Sequence, residues 1–253
     1  MRLLAYIPAR SGSKSVPGKN IKPIKNIPLL AFSVWAAQQA GVFDDILVST
    51  DDPAYLETVE PLGISGDYLR PSELAEDASP TIDGMHHALD WFEAQGKEFD
   101  AVMILQPTAP FRTPAHIREA VWLLEANPKA TCVTGIVQMG DTHPARLKRL
   151  VEEKWLEDFC EHAIEPEPSR RQDLTPPAYL RNGTIYLTRT RTIREDNLIR
   201  GDKVIGMEMH DANSVNVDTD LDFLVAEASL SYDAYREHLS CFDELIADFG
   251  TPA

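Results

Sequence analysis

Carboxylates are missing from the first 43 residues. That stretch holds Arg2, Arg10, Lys14, Lys19, Lys22 and Lys25 and no Asp or Glu, in a 253-residue chain of formal net charge −16. The rest of the chain sets 18 basic side chains against all 40 acidic ones. Such segregation reserves the segment for an anion, while the overall acidity argues against nucleic acid or an anionic membrane as partner. Cysteine is scarce: Cys132, Cys160 and Cys241 are odd in number, far apart and not in metal-ligand spacing, which fits a reducing cytoplasm. No run approaches the roughly 20 apolar residues of a membrane helix. Met1 to Ile7 meets Pro8 too soon to be read as a secretory leader.

Two familiar phosphate-binding signatures are absent as well. A Walker A loop needs Gly-x4-Gly-Lys-Ser/Thr, whereas Gly12 is followed at once by Ser13-Lys14, and Gly18-Lys19 by Asn20. No Gly-x-Gly-x-x-Gly follows the first apolar run, which excludes the dinucleotide fingerprint. None of the seven histidines sits where a nucleophile or its base would be expected.

What is present begins with Leu3-Leu4-Ala5-Tyr6-Ile7, a buried first strand bounded by Pro8. Ile7-Pro8-Ala9-Arg10-Ser11-Gly12-Ser13-Lys14 and Pro17-Gly18-Lys19-Asn20 follow, and then a helical pattern from Pro28 to Ala40. Strand, small-residue basic loop and helix together describe a place where backbone N–H groups and cations gather around phosphate. Asp45 to Asp51 reads as a second strand, completing a right-handed βαβ unit. Pro53 to Pro61 reads as a helix capped by Asp52.

A loop containing Arg70-Pro71-Ser72-Glu73-Leu74-Ala75-Glu76-Asp77 precedes Ser79-Pro80-Thr81 and a helix to about Gln95; Arg70 there has Glu73 and Glu76 as possible ion-pair partners. Ala101 to Leu105 is an uninterrupted apolar strand of the kind buried in a parallel sheet. It ends in Gln106-Pro107-Thr108-Ala109-Pro110-Phe111-Arg112, beyond the carboxyl end of a central strand, where ligands bind in open α/β sheets. Thr113 caps a helix opened by Pro114 and running to Asn127, and Ala130 to Met139 reads as another strand.

From His143 to Pro177 prolines cluster, charges alternate, and Trp155 and Phe159 stand among polar residues. This is an excursion from the sheet with a contact surface on it. Arg181-Asn182-Gly183-Thr184-Ile185-Tyr186 returns to the core, with Asn-Gly as a turn signal. Ser214 to Asp218 reads as an alternating strand, followed by a helix to about Tyr235 that Thr219 and Asp222 cap together. That cap accounts for Asp222 and leaves Asp218 at a strand end with no structural partner.

These stretches, in this order between residues 7 and 223, resemble the acylneuraminate cytidylyltransferases, which activate nine-carbon sialic-type sugars. The resemblance implies one domain over residues 1–253, an open, mostly parallel Rossmann-like α/β sheet of the nucleotide-diphospho-sugar transferase type, and a dimerisation insertion at 143–177. It implies a CTP-dependent enzyme that transfers CMP to the anomeric hydroxyl of a 2-keto sugar acid, with Mg²⁺ and as a homodimer. By the same resemblance Ala9, Arg10, Ser13, Lys14, Lys19, Asn20, Arg70 and Thr81 hold the nucleotide. Gln106, Thr108, Tyr186, Arg146 and Arg171 hold the acceptor, a guanidinium fork suiting its carboxylate, with Arg149, Arg170 and Arg181 as alternatives for that fork. Arg10, Lys14, Lys19 and Asp218 carry the chemistry, and Asp218 with Asn216 holds the metal. Two departures stand out: Ala109 replaces the family's usual serine, and Asn216 replaces the first Asp of its Asp-x-Asp pair. Both keep open a non-catalytic nucleotide-binding protein on the same fold. An activator of another keto-sugar acid, pseudaminate or KDO, is the further alternative.

Overall fold

The apolar runs pair into one sheet. In a computed structural model that describes residues 1–250 except 65, 163 and 168, six strands line up: β1 (Leu3–Pro8), β2 (Asp45–Ser49), β3 (Ala101–Ile104), β4 (Cys132–Gln138), β5 (Tyr179–Arg189) and β6 (Val204–Glu208). Their spatial order is β6-β4-β5-β3-β1-β2. β1 runs parallel to β2 and β3, and β4 parallel to β6. β5 alone is antiparallel to both its neighbours. The sheet is therefore mostly parallel and mixed at one position, where the chain returns from its long excursion.

Helices cover the sheet because the sequence gives them apolar faces. α1 (Leu29–Ala40) is buried along most of its length and packs against α4 (Pro114–Ala126). Its end is set by Gly41 at φ 64°, a left-handed cap. The expected caps form: Asp52 Oδ1 accepts from Ala54 N–H at 3.0 Å, opening α2 (Pro53–Glu57), and Thr113 Oγ1 accepts from His116 N–H at 3.3 Å. Asp222 Oδ2 accepts from the N–H of Asp218 (2.9 Å) and of Thr219 (2.7 Å) at the start of α6 (Asp220–Ser231). α3 (Thr81–Glu93) lies on the face that buries Tyr6, Ile104 and Tyr68.

Two expectations are corrected. Residues 214–218 are not a strand; Val217 N–H on the Thr108 carbonyl at 2.6 Å and Asn182 Nδ2 on Ser214 Oγ at 2.9 Å tie them to the fold. The helix after Asp52 stops at Glu57, short of Pro61, and a single 3₁₀ turn at Glu60–Leu62 follows. β6, α5 (Thr190–Arg194) and the terminal helices α7 (Arg236–Leu239) and α8 (Asp243–Gly250) carry no signal that had been read. The excursion holds a separate hairpin, Lys148–Val151 against Trp155–Asp158, turning at Glu152 and Glu153. No helix among the described residues is long and apolar enough to cross a membrane.

Candidate active site

The carboxyl ends of β1 and β3 face one cleft of about 590 Å³. The basic loop leaves β1 and is held to β2 by Asp51, whose carboxylate accepts from Ser11 N–H (2.8 Å) and Ser11 Oγ (2.7 Å). Partial burial pushes the Asp51 carboxyl up, but those Ser11 hydrogen bonds outweigh it and the net shift is downward. Asn20 Nδ2 donates to the Arg10 carbonyl at 3.0 Å, closing the loop from its far end. Gly18 at φ 64° makes the turn that starts a 3₁₀ helix at Lys19.

The loop's cations already face carboxylates. Arg10 Nη1 and Lys14 Nζ each lie 2.6 Å from one oxygen of Asp77. Hydrogen bonds from Lys14 and Arg10 hold the Asp77 carboxyl below its usual range. Lys19 Nζ lies 2.8 Å from Asp218 Oδ1, with the lysine side chain 12% exposed and the aspartate 58%. Asp218 thus has a partner, contrary to the expectation that it stands free. Its other oxygen accepts from Asn216 Nδ2, while Asn216 Oδ1 is turned towards Gly183. Arg70 is buried; its Nε donates to Ser49 Oγ at 2.9 Å and Nη2 to the Ser49 carbonyl, so it does not pair with Glu73 or Glu76.

Arg10, Ser13, Lys14, Lys19, Asn20, Arg70, Thr81, Gln106, Thr108 and Asp218 all line this cleft. Ala9 is fully buried just behind it, its N–H on the Ser49 carbonyl at 2.9 Å. Thr81 and Gln106 are shared with a second cavity of about 540 Å³ that also exposes Tyr186, Ile104 and Ile199. Gly183, at φ 72°, lets β5 approach Gln106: a Cβ there would sit 3.0 Å from Gln106 Oε1. Arg146 and Arg171 are not brought to either cavity. Arg146 is engaged with Asp141 (2.8 Å) and Glu165 (3.0 Å), and Arg171 lies over Gly140 in a separate cavity with His143 and His210.

Sequence reasoning passed over three groups. Asp77 and Asp51 neutralise or brace the loop, and Arg200 lines the second cavity beside Arg181, already a candidate for the acceptor's carboxylate; among the described residues neither guanidinium makes a hydrogen bond or ion pair. Asp77 closes the Arg-Pro-x-Glu-Leu-Ala-x-Asp stretch and Asp51 ends a strand, so both had a positional signal; Arg200 had none. The donor set at Asp218 is one carboxylate with an amide beside it, and no group of three or more His, Cys, Asp or Glu able to hold a metal exists among the described residues. That set fits a Mg²⁺ that keeps waters and takes the rest of its ligands from a substrate's phosphates.

Comparison with known proteins agrees with this geometry. The chain is 32% identical over 233 residues to the CMP-N,N'-diacetyllegionaminic acid synthase of Legionella pneumophila, covering 90% of this chain and 95% of that one. It is 30% identical over 226 residues to the N-acylneuraminate cytidylyltransferase of Escherichia coli, covering 89% of this chain but 51% of the relative. A Streptococcus agalactiae N-acylneuraminate cytidylyltransferase is 32% identical over 242 residues, 94% of this chain and 55% of the relative. The chain thus spans nearly all of one relative and about half the length of the other two. Among solved structures, a CMP:2-keto-3-deoxy-manno-octonic acid synthetase complexed with CTP shares the fold, with TM-score 0.66 at 17% identity over 91% of this chain and 99% of that one. Residues 4–203 match the cytidylyltransferase family, and the chain belongs to it.

Proposed function

We propose that the protein transfers CMP from CTP to the anomeric hydroxyl of a nine-carbon 2-keto sugar acid of the neuraminate or legionaminate type, releasing pyrophosphate. One observation carries the reading: the loop cations Arg10, Lys14 and Lys19 and the carboxylate of Asp218 line one cleft, and that cleft shares Thr81 and Gln106 with a second cavity holding the guanidiniums of Arg181 and Arg200, which are unpaired among the described residues. The first compartment suits a triphosphate and the second an acidic sugar.

The acceptor hydroxyl attacks the α-phosphorus and gives up its proton to solvent, the bond from that phosphorus to the bridging oxygen breaks, and pyrophosphate leaves with the electron pair. In such a transfer the protein acts by positioning and by stabilising charge. Arg10 and Lys14 exchange Asp77 for phosphate oxygens, and their attraction grows as charge builds on the leaving pyrophosphate. Lys19 adds a third cation, Asn20 and Ser13 fix the loop around the phosphates, and Arg70 and Thr81 face the nucleoside. Gln106, Thr108 and Tyr186 orient the acceptor. Mg²⁺, held at Asp218 with Asn216, would supply further charge neutralisation on the phosphates. Arg181 and Arg200 are better placed than Arg146 or Arg171 to meet the acceptor's carboxylate within one chain. The exposed hairpin at residues 148–158 is the surface of a homodimer, through which Arg146 or Arg171 would reach a partner's cavity. The three free cysteines suit a reducing cytoplasm.

Pyrophosphate release, measured with each of four nucleoside triphosphates against a panel of keto-sugar acids, tests the reading. CTP with a neuraminate or legionaminate should give turnover that ATP, GTP and UTP do not match; equal release with another nucleotide rejects it. Asn216 donating to Asp218, where the resemblance implies a second carboxylate, favours one alternative: a nucleotide-binding protein without turnover. CTP binding with no pyrophosphate at any Mg²⁺ concentration would select it.

A further inference from the structure

We propose that Arg112 is a positioning residue, whose guanidinium sets the acceptor wall of the cleft in register with the rest of the site; this rests on the transfer reaction proposed above. Arg112 is 0% exposed and lines neither cavity, so it touches no substrate. Its three nitrogens serve three elements. Nε donates to the Thr184 carbonyl of β5 at 2.6 Å, Nη1 to Ser33 Oγ of α1 at 2.6 Å, and Nη2 to the Gln106 carbonyl at the start of its own turn.

Packing alone does not call for this residue. No carboxylate pairs with it among the described residues, and burial pulls its pKa down. A buried cation without a counter-charge is costly, and an apolar side chain of similar volume would fill the space without that cost. What an apolar side chain cannot supply is a rigid planar fork that satisfies three acceptors at fixed angles; a lysine presents only one flexible ammonium. The acceptors matter because of what lies beside them. Gln106 shares its peptide with the Arg112 contact and points its side chain at Gly183, next to Thr184. The same turn is joined to the metal-side segment by Val217 N–H on the Thr108 carbonyl (2.6 Å) and by Asn213 Nδ2 on the Phe111 carbonyl (2.9 Å). Releasing the fork lets the Gln106–Thr108 turn and the Asn182–Thr184 segment move independently, while the basic loop keeps its own ties to Asp51 and Asn20.

Arg112→Lys and Ser33→Ala test this, with kinetics in acceptor, calorimetric CTP binding, and amide hydrogen exchange of the peptides covering 104–112, 180–188 and 8–20. Arg112→Lys should lower kcat/KM for the acceptor by about tenfold or more, as misplacement of a reacting group does. CTP affinity should stay within about twofold, since no nucleotide contact is removed. Ser33→Ala, which removes one acceptor only, should give a smaller loss of the same kind. Exchange should rise together in the first two peptides and not in the third. A parallel loss of CTP affinity, or unchanged acceptor kinetics and exchange, overturns the proposal. If Arg112→Lys does not fold, Ser33→Ala decides by the same criteria. If the wild-type protein releases no pyrophosphate with any keto-sugar acid, the reaction is wrong rather than the positioning, and the paired rise in exchange still supports or rejects the latter.

Discussion

Lys19 and Asp218 neutralise each other across the cleft at 2.8 Å, so a variant at either site exposes the other. Lys19→Ala removes a cation that gains strength as pyrophosphate departs, and kcat/KM for CTP should fall by roughly a hundredfold, the scale of losing one charge-stabilising donor. Steady-state kinetics beside a melting curve checks this; near wild-type kcat/KM would move the phosphate site off the loop. Asp218→Asn should lose at least roughly a hundredfold in kcat, about 3 kcal/mol of transition-state stabilisation. Asn216→Asp works the other way. It sets two carboxylates side by side where an amide now donates, so the metal-free protein should melt slightly lower while half-maximal rate is reached at lower Mg²⁺ concentration. Titrating kcat and melting temperature against Mg²⁺ separates these outcomes, and full activity of Asp218→Asn at saturating Mg²⁺ would place the metal elsewhere. Asp51 gives a pH signature. Its folded pKa lies below the ordinary 3.8, so its stabilising effect is complete above that value and is lost as pH falls through the lowered one. Asp51→Asn should therefore cost on the order of 1 kcal/mol near neutrality, with the gap to wild type closing below pH 3.8 in urea titrations. At this scale the loop was legible because charge and small residues cluster within a dozen positions. The work of Arg112 was not, because it depends on contacts 72 and 79 residues away along the chain.

Elements with strong periodicity were found where the sequence placed them: β1 to β3, α1, α3 and α4 begin and end close to their caps and prolines. The failures have physical causes. Residues 214–218 alternate like a strand, yet the chain there spends its N–H groups on the Thr108 carbonyl and on Asp222 instead of on a neighbouring strand. β6 is a short strand, Val204–Glu208, with a glycine, Gly206, at its centre, and its identity comes from pairing with β4. The terminal helices are short, and their place is fixed by what they bury. Phe242, 0% exposed, completes a cluster with Phe32 (5.7 Å between centroids) of α1 and Phe111 (5.8 Å) of the acceptor turn. Phe242→Ala should destabilise the fold by about 3–5 kcal/mol, the range for a buried aromatic. It should also raise hydrogen exchange in the 106–112 turn, which the cluster supports. Urea denaturation gives the first quantity and exchange the second; a loss below about 1 kcal/mol would mean that the C-terminal helices only rest on the core.

The hairpin of the excursion offers the whole molecule a surface it does not use alone. Leu150 is 61% exposed, Trp155 60%, Leu156 71% and Phe159 65%. By the hairpin's register Leu150 and Leu156 share one face and Trp155 and Phe159 the other, and exposed apolar side chains gathered on one short element mark a contact site. Charge opposes self-association: each copy carries −16, and two copies repel through the surrounding water. The hairpin itself is close to neutral, three basic residues against four acidic ones over 148–158, with Lys148 on Asp158 and Arg149 on Glu157, so its apolar side chains can meet a second copy with little of the net repulsion. Light scattering at micromolar concentration should therefore give the mass of a dimer. Because salt screens the net repulsion over about 8–10 Å, the dimer should tighten between low and physiological ionic strength. Trp155→Ser with Phe159→Ser should yield monomers that keep the melting behaviour of the core, since neither side chain is buried within its own chain. Activity then distinguishes two arrangements. If Arg146 or Arg171 of one copy serves the other's acceptor cavity, the monomer should bind CTP normally and lose acceptor turnover. If Arg181 and Arg200 suffice, the monomer stays active. A wild-type protein that scatters as a monomer at every salt concentration would remove the hairpin's role and leave the acceptor carboxylate to Arg181 and Arg200.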